Sequence, residues 1–147
     1  MENFKIYITN DEKETIALGY EFAKELIISD IVLLYGELGA GKTQFSKGIC
    51  NYFGIEEPVT SPTFTLINQY DGLTDDSVIT IYHIDLYRIK DQKEFEEIGL
   101  NEILDDDFSI KLIEWPEKNL SEYPANARKV YLKFSDENKD KREIKII

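Results

Sequence analysis

Apolar and polar positions along the first third of the chain predict a strand, a helix and a second strand. Residues 4–9 (FKIYIT) alternate as a half-buried strand does, and residues 11–27 carry apolar side chains at helical spacing. Residues 31–35 (IVLLY) form a continuous apolar run, which is typical of a strand covered on both faces. Asp11 and Glu14 have the spacing of a helix-capping pair. The residues expected to face the core from this helix are Ile16, Gly19, Tyr20, Ala23, Leu26 and Ile27.

The remaining pattern continues the interleaving of strands and helices. It predicts a helix from Lys42 to about Phe53, a hairpin of residues 65–70 and 77–87 around DGLTDD, a helix over 91–104 that breaks at Gly99, a buried strand over 109–115, and alternating strands over 128–134 and 142–147. Interleaved elements with some antiparallel pairing indicate an α/β protein with a mixed sheet and flanking helices. A length of 147 residues favours a single domain over residues 1–147.

Between the second strand and the second helix lies the glycine-rich sequence GELGAGKT, which fits the pattern G-x-x-x-x-G-K-[ST]. Its glycines permit close approach of the backbone to a ligand, and the amides of the loop and the helix N-terminus point toward phosphate. Lys42 is expected to reach the β and γ phosphates, and the Thr43 hydroxyl to ligate Mg²⁺. The fold is therefore expected to be P-loop NTPase-like. The predicted nucleotide contacts here are Gly36, Glu37, Leu38, Gly39, Ala40, Gly41, Lys42 and Thr43.

The nucleotide is expected to be ATP because the motifs of guanine-binding proteins are missing. No glycine is preceded three residues earlier by Asp, and NKDK (138–141) has the wrong fourth residue for N-K-x-D. A small-molecule kinase is an alternative, which the presence of only three Arg residues weakens, since such enzymes commonly clamp phosphates with several. A nucleotide-gated binding module without useful hydrolysis is a third possibility.

The charge balance argues against tight direct binding of nucleic acid. The chain has 17 basic and 29 acidic residues, a net charge of −12, and lacks the basic stripe that phosphate neutralisation requires. With one cysteine it can form no internal disulfide. Its start lacks the pattern of a signal peptide, and no apolar run approaches the ~20 residues that span a bilayer. We therefore expect a cytoplasmic protein without a membrane segment.

Two carboxylates end strand-like runs and qualify by position as the acid that a P-loop site requires near its metal. Alternation places Asp85 on one face with Ile79, Ile81, His83 and Tyr87, while Glu114 ends a buried run. An ordinary structural role for Asp85, pairing with Arg88 or capping a turn, is also possible. His83 is expected to be a core or near-site residue with a local hydrogen bond.

The motifs GELGAGKT, SPTF (61–64), HIDLYR (83–88), GLNE (99–102) and IEWPEK (113–118), in this order and in a chain of this length, resemble the TsaE family. These are small bacterial P-loop ATPases needed for the threonylcarbamoyladenosine modification of tRNA. The resemblance implies an ATPase that acts as a partner of the protein complex transferring the threonylcarbamoyl group, without carrying out that transfer itself. The sequence offers no obvious arginine finger in cis apart from Arg88, so we expect slow intrinsic turnover, with a partner completing the site.

The resemblance further assigns roles to individual residues. Glu114 matches the magnesium ligand, and Asp85 matches the acid of HIDLYR that is important for activity, either by supporting the metal's ligands or by positioning water. Trp115 matches a functional position, packed against the nucleotide site or presented to a partner, with an ordinary packed aromatic as the alternative. A switch-like segment is implied at Thr60, Ser61 and Thr63, with a proline-ordered turn whose hydroxyls bond to the backbone as the alternative. The adenine base is expected near the first strand–helix junction, at Ile8, Thr9, Asn10 and Thr15, with Arg142 as a further candidate.

Overall fold

The computed structural model describes residues 3–62, 66–119 and 122–147. Its strands are β1 (Lys5–Thr9), β2 (Ile31–Tyr35), β3 (Ile67–Leu73), β4 (Val78–Asp85), β5 (Ser109–Glu114), β6 (Arg128–Phe134) and β7 (Arg142–Ile146). Its α-helices are α1 (Glu12–Ala23), α2 (Lys42–Tyr52), α3 (Gln92–Glu97) and α4 (Leu100–Leu104), and a 3₁₀ turn covers Pro116–Lys118.

The strands form one seven-stranded sheet in the order β1-β7-β6-β2-β5-β4-β3. Strand β2 pairs in parallel with β5 and β6, and β4 pairs in parallel with β5. The pairs β3–β4, β6–β7 and β1–β7 are antiparallel. The predicted α/β class with a mixed sheet is confirmed. Within the described residues, no helix is long and apolar enough to span a membrane.

The central strands are buried because both faces of the sheet are covered there. Every residue of β5 is buried, and so are the first four residues of β2. One hydrophobic cluster joins Val32 and Leu34 to Phe45 of α2, and the other joins Leu33 to Phe95 of α3. Helices α1 and α2 therefore cover one face, and α3 and α4 cover the other, which is the two-sided burial that a continuous apolar run predicts.

Two glycines allow α1 and α2 to pack with their backbones almost in contact. A Cβ atom on Gly48 would lie 2.0 Å from the Ile16 carbonyl oxygen, and one on Gly19 would lie 2.2 Å from the Phe45 carbonyl oxygen. Any side chain at either position would force the helices apart. This contact fixes α2, which carries Lys42 and Thr43 at its N-terminal end, against α1.

The first helix is shorter than predicted, and its buried face is shifted. It ends at Ala23 rather than continuing to residue 27, and Ile27 is 68% exposed, with its amide donating to Asp30 at 2.9 Å. Tyr20 is also exposed and packs edge-on against Tyr52. The predicted burial of Ile27 was wrong because the turn after Ala23 breaks the helical spacing. The predicted burial of Tyr20 was also wrong: it lies within α1, but the buried face of that helix runs through Thr15, Gly19, Phe22 and Ala23. Gly19, Ala23 and Leu26 are buried as predicted, Ile16 is half-buried, and Thr15 and Phe22 complete the face.

Three other local predictions concern the cap of α1, the break at Gly99 and the hairpin turn. Asp11 caps α1 by accepting the Glu14 amide at 2.9 Å, but the Glu14 carboxylate accepts from the Asn10 amide at 3.2 Å rather than from Asp11. Helix 91–104 breaks at Gly99, where φ is +75°. The hairpin turn is shorter than DGLTDD because residues 71–73 extend β3, so that the turn spans 74–77.

Candidate functional site

The glycine-rich loop, residues 36–41, connects β2 to α2 at the sheet edge where the parallel strands β2, β5 and β4 end. A Cβ atom on Gly36 would lie 2.5 Å from the Leu132 carbonyl oxygen, so the loop passes too close to β6 for a side chain. Gly41 precedes α2 with φ of +105°, a conformation that favours glycine. Among the described residues, no side chain caps the start of α2. The geometry leaves the positive end of this helix facing the loop.

Lys42 is folded back over the loop. Lys42 is buried, and its Nζ donates to the Gly36 carbonyl oxygen. The same atom lies 3.8 Å from the centroid of the Trp115 ring. Burial lowers the pKa of Lys42, while the carboxylates of Glu114 and Asp85 act in the opposite direction. The ammonium group is thus held by a carbonyl and an aromatic face, both of which are weaker partners than an anion.

Glu114 lies at the end of β5 with its carboxylate buried beneath the start of α2. Its Oε2 atom is 2.5 Å from His83 Nε2 and accepts from the Thr43 hydroxyl at 3.4 Å. His83 is fully buried on β4, which agrees with its predicted position near the site and its local hydrogen bond. One carboxylate oxygen therefore connects the first turn of α2 to two neighbouring strands.

Asp85 ends β4 and is the register partner of Glu114 in the parallel pair. Its Oδ2 accepts from the Ser61 hydroxyl at 3.1 Å, and its Oδ1 accepts from the Tyr87 amide at 2.9 Å. Asp85 therefore caps a turn, the structural role that the sequence left open, and also contacts the predicted switch-like segment. Tyr87 does not share its face as predicted, because the strand ends at Asp85 and Tyr87 is exposed. Thr63 lies outside the described residues.

Trp115 follows Glu114 in a left-handed backbone conformation, with φ of +58° and ψ of +48°. This conformation is uncommon for a bulky side chain, and such outliers concentrate at functional sites. It turns the indole over Lys42 and against Tyr87, whose ring centroid lies 4.9 Å away. The turn thus places an aromatic ring over Lys42, beside the glycine-rich loop.

The residues predicted for the adenine base do not all line one cavity. Arg142 and Thr15 line a cavity of about 190 Å³, and Arg142 Nη2 donates to the Gly39 carbonyl oxygen at 3.2 Å. Asn10 instead donates from its side chain to Glu14 at 3.1 Å. Ile8 lines a different groove. The other residues lining the small cavity are Glu12, Gly39, Gly41, Gln44 and Asp140. Thr9 is buried, and its hydroxyl lies 2.8 Å from that of Thr15.

The hydrogen bond between His83 and Glu114 is the main feature that sequence reasoning missed. The sequence placed His83 and Asp85 on one face, but only the parallel pairing of β4 with β5 shows that His83 reaches Glu114. The contributions of Glu12, Gln44 and Asp140 to the small cavity were missed as well. No motif marks these residues, because they come from three elements that meet only in the folded chain.

A family model described as threonylcarbamoyl adenosine biosynthesis protein TsaE matches residues 9–144. The chain belongs to the TsaE family. The TsaE protein of Rickettsia bellii is 41% identical over 133 residues, covering 90% of this chain and 88% of the relative. That of Bacillus subtilis is 37% identical over 138 residues, covering 93% and 80%. The crystal structure of Bacillus subtilis YdiB superposes with a TM-score of 0.77 at 29% identity, covering 99% of this chain and 86% of YdiB. Membership places the chain in a family of tRNA threonylcarbamoyladenosine biosynthesis.

Proposed function

We propose that the chain is a Mg²⁺-dependent ATPase that acts as a partner of the protein complex making N6-threonylcarbamoyladenosine in tRNA. The observation that carries the proposal is the convergence of Lys42, Thr43 and Glu114 around one glycine-rich loop. A cation placed here can bind a phosphate chain, and a hydroxyl and a carboxylate beside it can bind the divalent metal that bridges the phosphate oxygens. Membership of the TsaE family supports the same pathway.

In this proposal, the loop amides and Lys42 bind the β and γ phosphates. Phosphate oxygens replace the Gly36 carbonyl and the Trp115 ring as partners of the Lys42 ammonium group. Because Lys42 is already desolvated, its charge interacts strongly with an anion that enters the loop. Gly39 and Gly41 line the small cavity beside the loop, where Arg142 and Gln44 would contact the nucleoside.

The residues present also fit Mg²⁺. The Thr43 hydroxyl and the Glu114 carboxylate supply two oxygen ligands, 3.4 Å apart, at the start of α2. Two protein ligands are enough for Mg²⁺, which keeps several waters and binds through one or two protein groups plus phosphates. Bound there, Mg²⁺ would neutralise the charge that develops on the phosphate oxygens.

The hydrolytic step requires that a water molecule be held in line with the terminal phosphate. Asp85 lies on the strand next to Glu114, and Ser61 connects it to the switch-like segment. In our proposal Asp85 orients the attacking water. The water oxygen bonds to the γ phosphorus as the bond from that phosphorus to the β–γ bridging oxygen breaks, and the water's proton goes to the released phosphate, giving ADP and inorganic phosphate. Arg128 pairs with Glu25, and Arg142 donates to the loop. The sequence offers only Arg88 as a candidate arginine finger in cis, so we propose slow intrinsic turnover that a partner accelerates.

The proposed activity is tested by measuring phosphate release from ATP by the purified chain, with and without Mg²⁺ and with and without the threonylcarbamoyl-transferring complex. Mg²⁺-dependent release that rises when the complex is added supports the proposal. Transfer of the phosphate to a small-molecule acceptor would show that the kinase alternative is correct. Nucleotide binding without release in either condition would show a binding module.

ATP should bind at least tenfold more tightly than GTP. The reason is that the chain lacks the N-K-x-D motif with which GTP-binding proteins read guanine. Competition of unlabelled ATP and GTP against a fluorescent ATP analogue measures the ratio. Equal or tighter binding of GTP would contradict the assignment of adenine to this site.

His83→Phe should weaken the affinity for Mg²⁺ in the presence of ATP by roughly tenfold, because loss of a hydrogen bond to a metal ligand typically lowers metal affinity by that much. The phenyl ring fills the buried space but cannot hydrogen-bond to Glu114. Mg²⁺ titration at fixed ATP gives the effect, and His83→Gln, which keeps a donor, should restore part of it. A purely structural role for His83 would lower thermal stability in the Phe variant and leave the Mg²⁺ titration unchanged.

A further inference from the structure

Among the described residues, no helix packs on one face of the sheet at strands β1, β7 and β6. Alternate residues of these strands, including Val130, Leu132 and Ile144, point into the cluster beneath α1 and α2. The residues between them point the other way. In the described ranges, the cluster beneath α3 and α4 contains no residue of β1, β6 or β7. We call this surface the open face; its residues are Phe4, Ile6, Ile8, Lys129, Tyr131, Lys133, Glu143 and Lys145.

The open face is apolar at its outer edge. Phe4, Ile6 and Ile8 follow one another on the same side of the edge strand, and each is exposed over half its surface or more, at 56%, 51% and 52%. Exposed apolar residues scattered singly are normal in proteins, but three in a row on one strand form a patch. Such a patch, rimmed by charged residues, marks an interaction surface.

The open face is also basic in a chain that is otherwise strongly acidic. It carries three lysines and one glutamate, so its net charge is 3 − 1 = +2, and the rest of the chain carries −12 − 2 = −14. Glu143 pairs with Lys133 at 3.4 Å. Lys145 Nζ lies 4.9 Å from the Tyr131 ring centroid and 5.4 Å from that of Phe4. The lysines thus lie on β7 and β6, on the inner side of the apolar patch, and Lys145 packs against the rings of Phe4 and Tyr131.

A groove of about 600 Å³ connects the open face to the glycine-rich loop. Ile8, Lys133 and Glu143 line it on the side of the face, and Gly36 and Glu37 line it on the side of the loop. The Gly36 carbonyl accepts the hydrogen bond from Lys42. A molecule bound to the open face would therefore reach the residues that hold the phosphate-binding lysine.

We propose that the open face and its groove dock a partner protein through a surface on which an apolar strip lies beside acidic residues. This inference rests on the proposed partner role, and the partner protein is a component of the threonylcarbamoyl-transferring complex. Charge complementarity favours an acidic surface. A symmetric contact between two copies of this chain would place lysines against lysines. Nucleic acid fits poorly, since the open face has a net charge of only +2 in a chain whose net charge is −12.

The test compares two double variants of the full chain with the same total charge. Lys129→Glu with Lys145→Glu reverses the open face, and Lys13→Glu with Lys93→Glu makes the same change at exposed positions of α1 and α3. Affinity for the purified complex is measured by biolayer interferometry with Mg-ATP. The first pair should bind the complex at least roughly tenfold more weakly than wild type, and the second pair should bind as wild type does. Ile6→Ser, which keeps the charge, should also weaken binding.

Basal ATP binding by each variant is measured in parallel, because none of the substituted residues belongs to the proposed nucleotide site. If wild type binds the complex and the open-face variants bind equally well, the docking inference is overturned and the proposed function stands. If wild type binds ATP but not the complex, the partner role fails and the inference fails with it. Binding of tRNA, or self-association, that the open-face variants abolish would assign the face to a different occupant and overturn the proposal.

Discussion

Replacing Lys42 with alanine should reduce ATP turnover by roughly 10²–10³-fold, the range seen when one preorganised donor to a developing anion is removed. Lys42 is the side chain at the loop that brings a full positive charge to the phosphates. Its present partners, the Gly36 carbonyl and the Trp115 ring, hold it in the loop rather than in the core. Phosphate release under saturating Mg-ATP, together with the Kd for ATP, measures the loss.

The same substitution should leave the fold intact. Burial lowers the pKa of Lys42, which means that the charged side chain is costly to keep in the folded chain. Replacing Lys42 therefore removes no charge that stabilises the fold. Thermal unfolding of the variant should therefore match wild type within a few degrees. Lys47→Ala, a half-buried lysine of the same helix, is the matched control and should retain turnover. Unchanged turnover in Lys42→Ala would remove the glycine-rich loop from the proposed site.

The parts of the fold that could be predicted from the sequence are those whose pattern and environment agree. Residues 31–34 and 109–114 are buried because both faces of the central strands are covered, and both strands were placed correctly. Ile27 continues the helical spacing of α1, yet it lies beyond the end of that helix. Its amide donates to the Asp30 side chain in the following turn rather than to a helix carbonyl. Periodicity alone does not show where a helix ends when no proline or glycine marks the boundary.

The candidate site divides in the same way between local and distant features. The glycine-rich loop is a continuous sequence, so it could be predicted without knowing which strands pair. The contacts of His83 with Glu114 and of Ser61 with Asp85 depend on which strands are neighbours and in what register. Those contacts join residues 31 and 24 positions apart in the chain, and no spacing rule covers them.

The two neighbouring carboxylates should separate when each is changed to its amide. Glu114→Gln should weaken Mg-ATP binding by roughly tenfold or more, as loss of a charged metal ligand does, and excess Mg²⁺ should restore part of it. Without Mg²⁺, ATP binding should be unchanged or tighter, since a negative charge near the phosphates has been removed. Asp85→Asn should leave Mg-ATP affinity within a few-fold of wild type and lower kcat by roughly 10²-fold or more. ATP titrations with and without Mg²⁺, combined with turnover measurements, give the two ATP affinities and the kcat of each variant.

The physical basis of this separation is the stage at which each carboxylate acts. A metal ligand stabilises the bound ground state, so its loss appears in the affinity; a group that orients water acts in the transition state, so its loss appears in kcat. The amides preserve the local structure well enough to make the comparison fair. Asparagine at position 85 can still accept the Tyr87 amide, and glutamine at position 114 can still contact Thr43 and His83. The reverse pattern, with Asp85→Asn losing Mg²⁺-dependent binding and Glu114→Gln keeping it, would show that the metal is held from β4. The hydrogen bond between Ser61 and Asp85 would then connect the switch-like segment directly to a metal ligand rather than to the attacking water.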